Sequence, residues 1–99
     1  MTTKYEDLLK YSNPQIVAQR LEEYLPGTQL YISSRANKKY MVQNKEGKLI
    51  HFGQMGYEDF TNHRDPVRRD RYLKRAMGIK GKWRLDEYSP NALSIVLLW

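Results

Sequence analysis

The residues best suited to chemistry in this 99-residue chain are the arginines and lysines between His63 and Arg84. Nine basic and two acidic residues occur there, which gives a local charge of +7. A patch of this charge density attracts polyanions or acidic proteins. The alternative is that these residues form a solvated helix face with no binding function, which only keeps the chain soluble. The basic residues are Arg64, Arg68, Arg69, Arg71, Lys74, Arg75, Lys80, Lys82 and Arg84.

Much of this charge belongs to a helix predicted over residues 66–77. Asp65-Pro66 is typical of a helix start, because Asp accepts hydrogen bonds from free N–H groups and Pro suits the first position. Gly78 marks the end. At 100° per residue the helix has an apolar side and a basic side. The apolar side holds Tyr72, Leu73, Ala76 and Met77, and the basic side holds Arg68, Arg71, Lys74 and Arg75.

The pattern predicts a nucleic-acid-binding surface, because cations contact phosphates and aromatic rings stack on bases. We expect little sequence specificity, because no Asn or Gln accompanies the arginines as in a base-reading helix. Tyr57 and Trp83 are candidates for stacking. The residues expected to contact phosphate are Arg64, Arg68, Arg71, Lys74, Arg75, Lys80, Lys82 and Arg84.

Catalytic and metal-binding signatures are weak by comparison. The histidines His51 and His63, with Asp59 and Asp65, lack the i, i+4 or His-x-His spacing of a metal site, and both aspartates suit helix caps or turns. No nucleophile elbow occurs. The sequence therefore predicts a non-enzymatic protein with no catalytic residues, metal or cofactor. A small metal-dependent nuclease is the remaining enzymatic alternative.

The composition and the apolar segments further limit the class of protein to which the chain can belong. The net charge is +6, and the absence of cysteine excludes disulfides and thiolate metal sites. That absence is compatible with a reducing compartment. The first residues lack the apolar core of a signal peptide, and residues 92–99 are too short to cross a bilayer, so no membrane association is expected.

The periodicity predicts an α+β fold in which a three-stranded antiparallel sheet packs with helices and a C-terminal helical pair. Residues 1–99 form a single domain of three parts. Residues 1–26 hold N-terminal helices and residues 28–53 an antiparallel meander. Residues 54–99 hold a loop, the basic helix and an apolar C-terminal helix. The predicted core consists of Leu21, Leu25, Ile32, Val42, Phe52, Leu73, Met77, Leu93, Val96 and Leu97.

A set of short motifs is spread over residues 38–99. They are Lys39-Tyr40, Gly47-Lys48, Phe52-Gly53, Gly56-Tyr57-x-Asp59-Phe60, His63-x-Asp65, Arg68-Arg69, Tyr72 to Arg75, Trp83, Ala92-Leu93-Ser94 and Leu98-Trp99. With these motifs the chain resembles a family of small uncharacterised proteins of nucleocytoplasmic large DNA viruses, including those of algae and amoebae. Gln54-Met55 is bulkier than the small residues of that turn in the family, and Pro66 is not part of its pattern. No established activity accompanies the family, so no functional residues carry over.

The resemblance implies a viral origin and a role outside housekeeping. The expected function is therefore that of a small basic accessory or virion protein that binds nucleic acid. The alternative is a minor capsid or internal virion protein whose basic face meets an acidic viral structural protein. Either protein is expected in the virion or in the interior of the host cell.

Overall fold

The computed structural model describes residues 3–99 and has an α+β architecture, as predicted. The helices and strands follow one another in mixed order along the chain. They are α1 (Lys4–Leu8), α2 (Pro14–Tyr24), β1 (Tyr31–Ile32), β2 (Lys38–Gln43), β3 (Leu49–Gln54), α3 (Phe60–His63), α4 (Pro66–Met77) and α5 (Pro90–Leu93). A 3-10 turn spans Trp83–Leu85, and α5 continues as a π-helix over Ser94–Leu98.

The sheet is an antiparallel meander in the order β1-β2-β3. Tyr40 lies opposite Phe52, and Val42 lies opposite Ile50. Gly47 closes the β2–β3 hairpin with a φ of 84°, which residues with a Cβ rarely adopt. The meander predicted for residues 28–53 is therefore confirmed, although β1 is only two residues long and β3 extends to Gln54.

Three helices begin with a polar residue before a proline, the pattern from which the start of the basic helix was predicted at Asp65-Pro66. The Asn13 side chain accepts hydrogen bonds from the N–H groups of the first turn of α2. Asp65 caps α4 in the same way, and Ser89 caps α5. These contacts satisfy backbone donors that have no partner within the helix. The local sequence therefore fixes where α2, α4 and α5 start.

The core is a cluster of ten buried residues from the helices and from β2 and β3. Its members are Leu8, Val17, Leu21, Leu25, Tyr40, Val42, Phe52, Leu93, Leu97 and Leu98. The rings of Tyr40 and Phe52 lie 5.7 Å apart between centroids, so the central strand pair also packs side chain on side chain. This cluster fixes α2 and α5 on the sheet and leaves α4 nearer the surface.

Four residues predicted for this core lie outside the cluster. Ile32 is exposed because β1 is a two-residue edge strand, and Met77 is exposed at the last position of α4. Val96 is exposed because the π-helical turn changes the side-chain phase that an α-helix would give. Leu73 is half-buried. The other six predicted core residues are confirmed.

None of the helices within residues 3–99 has the length and apolar character needed to span a bilayer.

Candidate nucleic-acid interface

The predicted phosphate-contacting residues all lie exposed on α4 and the segments at its two ends. We call this set the basic surface. Helix α4 presents four of its members, and Ala76 is the buried residue that faces the opposite way. The helical phase predicted from the sequence is therefore confirmed for the basic side. The basic surface consists of Arg64, Arg68, Arg71, Lys74, Arg75, Lys80, Lys82 and Arg84.

The two ends of the basic surface are held by local backbone contacts. Arg64 follows α3 in the left-handed conformation, with a φ of 56°, and directly precedes the Asp65 cap of α4. At the other end, the Arg84 guanidinium donates to the Met77 carbonyl at the end of α4. Cations are favourable there because the last carbonyls of a helix lack backbone partners. The basic surface therefore spans the whole length of α4.

Two cations of the basic surface have carboxylate partners. Arg68 lies 3.8 Å from Glu58, and Lys74 lies 3.0 Å from Asp70, the i, i+4 pair that the spacing predicts. Exposed pairs of this kind contribute little to stability. For the other members, no carboxylate of residues 3–99 lies within the 4.0 Å limit of an ion pair. Most of the positive charge is thus uncompensated within the described chain.

The two candidate stacking residues have different surroundings. Tyr57 is 70% exposed and lies in the loop between β3 and α3. Trp83 is half-buried, and its indole N–H donates to the Ile79 carbonyl at 2.7 Å. The Arg84 guanidinium lies 4.5 Å from the centre of the Trp83 ring and covers one face. Tyr57 therefore presents much more free ring surface than Trp83.

The residues considered as metal ligands each make another contact, and His63 Nε2 is in addition buried without a hydrogen-bond partner among residues 3–99. His51 Nδ1 lies 2.6 Å from the hydroxyl of Ser33, and His63 Nδ1 accepts a hydrogen bond from the Asp65 N–H at 2.9 Å. Asp59 is occupied by a buried ion pair. Across residues 3–99 no group of three or more His, Asp or Glu side chains is arranged to hold a metal ion.

The buried ion pair joins Lys39 of β2 to Asp59, the residue that caps α3. Lys39 Nζ lies 3.1 Å from Asp59 Oδ2, and the two side chains are 3% and 0% exposed. Burial lowers the pKa of the Lys39 ammonium, and the charge of Asp59 acts in the opposite direction. The capping role of Asp59 follows from the sequence. The ion pair does not, because nothing in the local pattern distinguishes Lys39 from the exposed lysines.

A chain of hydroxyl groups extends this pair into the interior. Thr61 donates to Asp59 through its backbone N–H at 3.0 Å and also through its hydroxyl. The Thr61 hydroxyl lies 3.3 Å from Ser12 Oγ, which accepts from the Tyr40 hydroxyl at 2.7 Å. Buried polar groups need partners of this kind. The network connects the α1–α2 segment, β2 and α3.

Comparison with known proteins gives one match. Residues 28–76 match the model of a family of unknown function (DUF5754). No curated protein and no solved structure matches the chain significantly. The matched region contains β1 to α3 and all of α4 except Met77, and with α4 the central part of the basic surface. The family description names neither an activity nor a source, so the viral origin implied by the motifs stays a prediction.

Proposed function

We propose that this protein is a small non-enzymatic protein that binds nucleic acid through the basic surface without sequence specificity. The observation that carries the proposal is the exposure of eight cations along one helix and its two ends, most of them without a carboxylate partner in the described chain. Four like charges on three helical turns repel each other until an anion is bound. Helix propensity does not require them, because Glu, Gln or Ala would serve equally well.

The dimensions of α4 agree with contacts to a phosphate backbone. A helix of 12 residues is about 18 Å long at a rise of about 1.5 Å per residue. Phosphates of one strand of a duplex recur about every 3.4 Å along the axis. A helix lying along the duplex axis therefore spans about five base steps, and the cations at its ends extend that reach.

The absence of specificity follows from the kind of donors present. Arginine and lysine supply charge at the backbone, whereas base recognition also needs groups such as Asn or Gln that pair with base edges. On the basis of the motif resemblance, we propose that the protein is a viral accessory or virion protein. It acts in the virion or inside the host cell. An acidic viral structural protein is the competing partner for the same surface.

The salt dependence of binding tests the proposal. If the basic surface neutralises about four to six phosphates, the slope of log affinity against log salt on a duplex is about −3.5 to −5.5. Replacing Arg71 and Arg75 by Glu reverses two charges. We expect it to weaken binding to all sequences and to make the slope of log affinity against log salt less negative by about two. Fluorescence anisotropy with labelled duplexes of different sequence, from low to physiological salt, measures both quantities.

A matched control reverses Arg35 and Lys48, which are exposed in the two hairpin connections of the sheet, one between β1 and β2 and one between β2 and β3. The net charge falls equally, so binding that depends only on net charge would weaken equally in both double variants. The proposal expects a much smaller loss for the hairpin variant. It is contradicted if the wild type shows no salt-dependent binding to DNA or RNA at low salt. That result would favour the acidic protein partner.

A further inference from the structure

A pocket of about 530 Å³ lies beside the basic surface, where α4 and α5 meet the end of the sheet. Its volume falls within the range of small-molecule sites. One member of the basic surface, Arg75, is also part of its wall. The lining residues that the following argument uses are Lys38, Lys39, Tyr57, Glu58, Tyr72, Arg75 and Trp99.

The pocket carries free positive charge. Of its three cations, Lys39 is neutralised by Asp59, which leaves Lys38 and Arg75 without a carboxylate within ion-pair distance among residues 3–99. The carboxylate in the wall, Glu58, lies 3.8 Å from Arg68 of the basic surface. An anion such as phosphate is therefore the expected charged part of a ligand.

The pocket also carries aromatic surface. Tyr57, which is 70% exposed, forms part of its rim. Tyr72 and Trp99 also lie in its wall, where they stack on each other with 4.2 Å between ring centroids and 11° between ring planes, so Tyr57 supplies the free ring face. Cations beside aromatic rings are the combination with which proteins hold single-stranded nucleic acids. A pocket of about 480 Å³ between α2 and β1 has no lysine or arginine among the described residues of its wall. The larger pocket of about 620 Å³ beside the β2–β3 hairpin does have cations, but its wall also holds the three carboxylates of Glu46, Asp86 and Glu87.

From this combination we infer that the pocket receives one unpaired nucleotide of a single strand, with the base on the Tyr57 ring and the phosphate near Arg75 and Lys38. The inference rests on the proposed function and deepens it, because a paired base inside a duplex cannot enter the pocket. Arg75 belongs both to the basic surface and to the wall of the pocket. A strand held on α4 therefore passes the mouth of the pocket. The protein accordingly prefers single strands to duplexes with the same number of phosphates.

The first test replaces Tyr57 by Ala and measures binding to an oligonucleotide and to the duplex of the same sequence by anisotropy. Loss of one base–aromatic stack is expected to weaken single-strand binding about fivefold or more and to leave duplex binding unchanged. Tyr5→Ala is the matched control, because Tyr5 is exposed and lines the pocket between α2 and β1, which has no lysine or arginine in its described wall. We expect Tyr5→Ala to change neither affinity. Circular dichroism of each variant checks the fold.

The second test uses adenosine 5′-monophosphate as the probe and follows its binding by NMR. We expect shifts of the Tyr57 and Trp99 signals and, for Arg75→Gln, a loss of affinity of about threefold or more. Arg71→Gln is the control on the same helix, since Arg71 does not line the pocket. It is expected to weaken duplex binding as Arg75→Gln does, and to leave mononucleotide binding intact.

The outcomes separate the two proposals. If the wild type binds single strand and duplex equally, and Tyr57→Ala changes neither, the pocket assignment is overturned and the proposed function stands. Mononucleotide shifts that lie outside the pocket also overturn the assignment. If the wild type binds neither polymer at low salt, the proposed function and the pocket assignment both fall.

Discussion

Lys39 and Asp59 hold two opposite charges in the interior, where each depends on the other. Removing an ion from water costs several kcal/mol, and a close partner with further hydrogen bonds offsets that cost. Asp59 has such bonds, from the Thr61 N–H and hydroxyl. The pair therefore adds little net stability compared with apolar residues, but the loss of either member leaves an unpaired buried charge.

We predict that Asp59→Asn lowers the free energy of unfolding by about 3–5 kcal/mol at neutral pH, because the buried ammonium of Lys39 loses its counter-charge. Urea denaturation followed by circular dichroism measures the loss. The control is the double variant Lys39→Met with Asp59→Asn. It is expected to be more stable than Asp59→Asn alone, since no unpaired charge is left. A loss below about 1 kcal/mol for Asp59→Asn would mean that the pair is solvated.

The sequence was sufficient to predict the role of residues that bond only to their neighbours along the chain. Asp59 and Asp65 were predicted as caps or turn residues, and both accept hydrogen bonds from the next helical turn. The Lys39–Asp59 pair joins residues 20 positions apart, on a strand and a loop. Their meeting depends on how α3 docks against β2, which no short-range pattern encodes.

Helix α4 is the element on which the proposed function depends, and its first turn is held by Asp65. Asp65 Oδ1 accepts from the Val67 N–H at 2.9 Å and from the Arg68 N–H at 3.4 Å. The carboxylate also complements the positive end of the helix dipole. The repulsion among the arginines of α4 makes this support more important than it is in an uncharged helix.

We predict that Asp65→Ala lowers the free energy of unfolding by about 1 kcal/mol, because the first turn loses its acceptor. Asp65→Asn, which keeps an acceptor oxygen, is expected to cost a few tenths of that amount. Urea denaturation of both variants measures the difference. Equal losses would contradict a capping role. Binding to nucleic acid is expected to change little, because Asp65 is not part of the basic surface.

The elements themselves were predicted with unequal success. The meander predicted over residues 28–53 includes β2 and nearly all of β3, and the capping pattern of Asp65-Pro66 indicated α4. The π-helix of Ser94–Leu98 was not predicted, because the usual phase of 100° per residue assumes an α-helix. The bond from the Trp99 N–H to the Ser94 carbonyl spans five residues, and in this wider turn Leu97 and Leu98 are both buried.

At the scale of the whole molecule, the histidines couple folding to pH. Burial is the main cause that lowers the pKa of His51 and of His63. Nearby cations act in the same direction, Arg35 on His51 and Arg68 on His63. Protonation of His63 also opposes the hydrogen bond that its Nδ1 accepts from the Asp65 N–H. Each ring therefore binds a proton more weakly in the folded chain than in the unfolded one.

We predict that stability falls as the pH is lowered from about 7.5 to about 5.5, because the unfolded chain takes up protons near pH 6.5 that the folded chain resists. Urea denaturation at several pH values measures the fall. In the double variant His51→Asn with His63→Asn, the side-chain oxygen keeps an acceptor and cannot titrate, so the fall is expected to be smaller. The prediction fails if wild type and variant show the same pH dependence.

The fold class was predictable because the period of the apolar residues changes from helix to strand and back along the chain. The composition of the core was only partly predictable. Periodicity identifies which side of an element is apolar, and this was sufficient for Leu21 and Phe52. It does not show how far an element lies from the centre, and so Met77 was predicted in the core although it is exposed.

The core residues are spread over more of the chain than the region that matches the family model. Residues 28–76, which match the family model, supply Tyr40, Val42 and Phe52, three of the ten members of the buried cluster. The other seven come from α1, α2 and its following residue Leu25, and the C-terminal helix. The matched region excised from its flanks would leave the sheet without the helices that cover it. We therefore expect the unit of sequence similarity to be smaller than the unit that folds, so that a transplantable module needs both flanks.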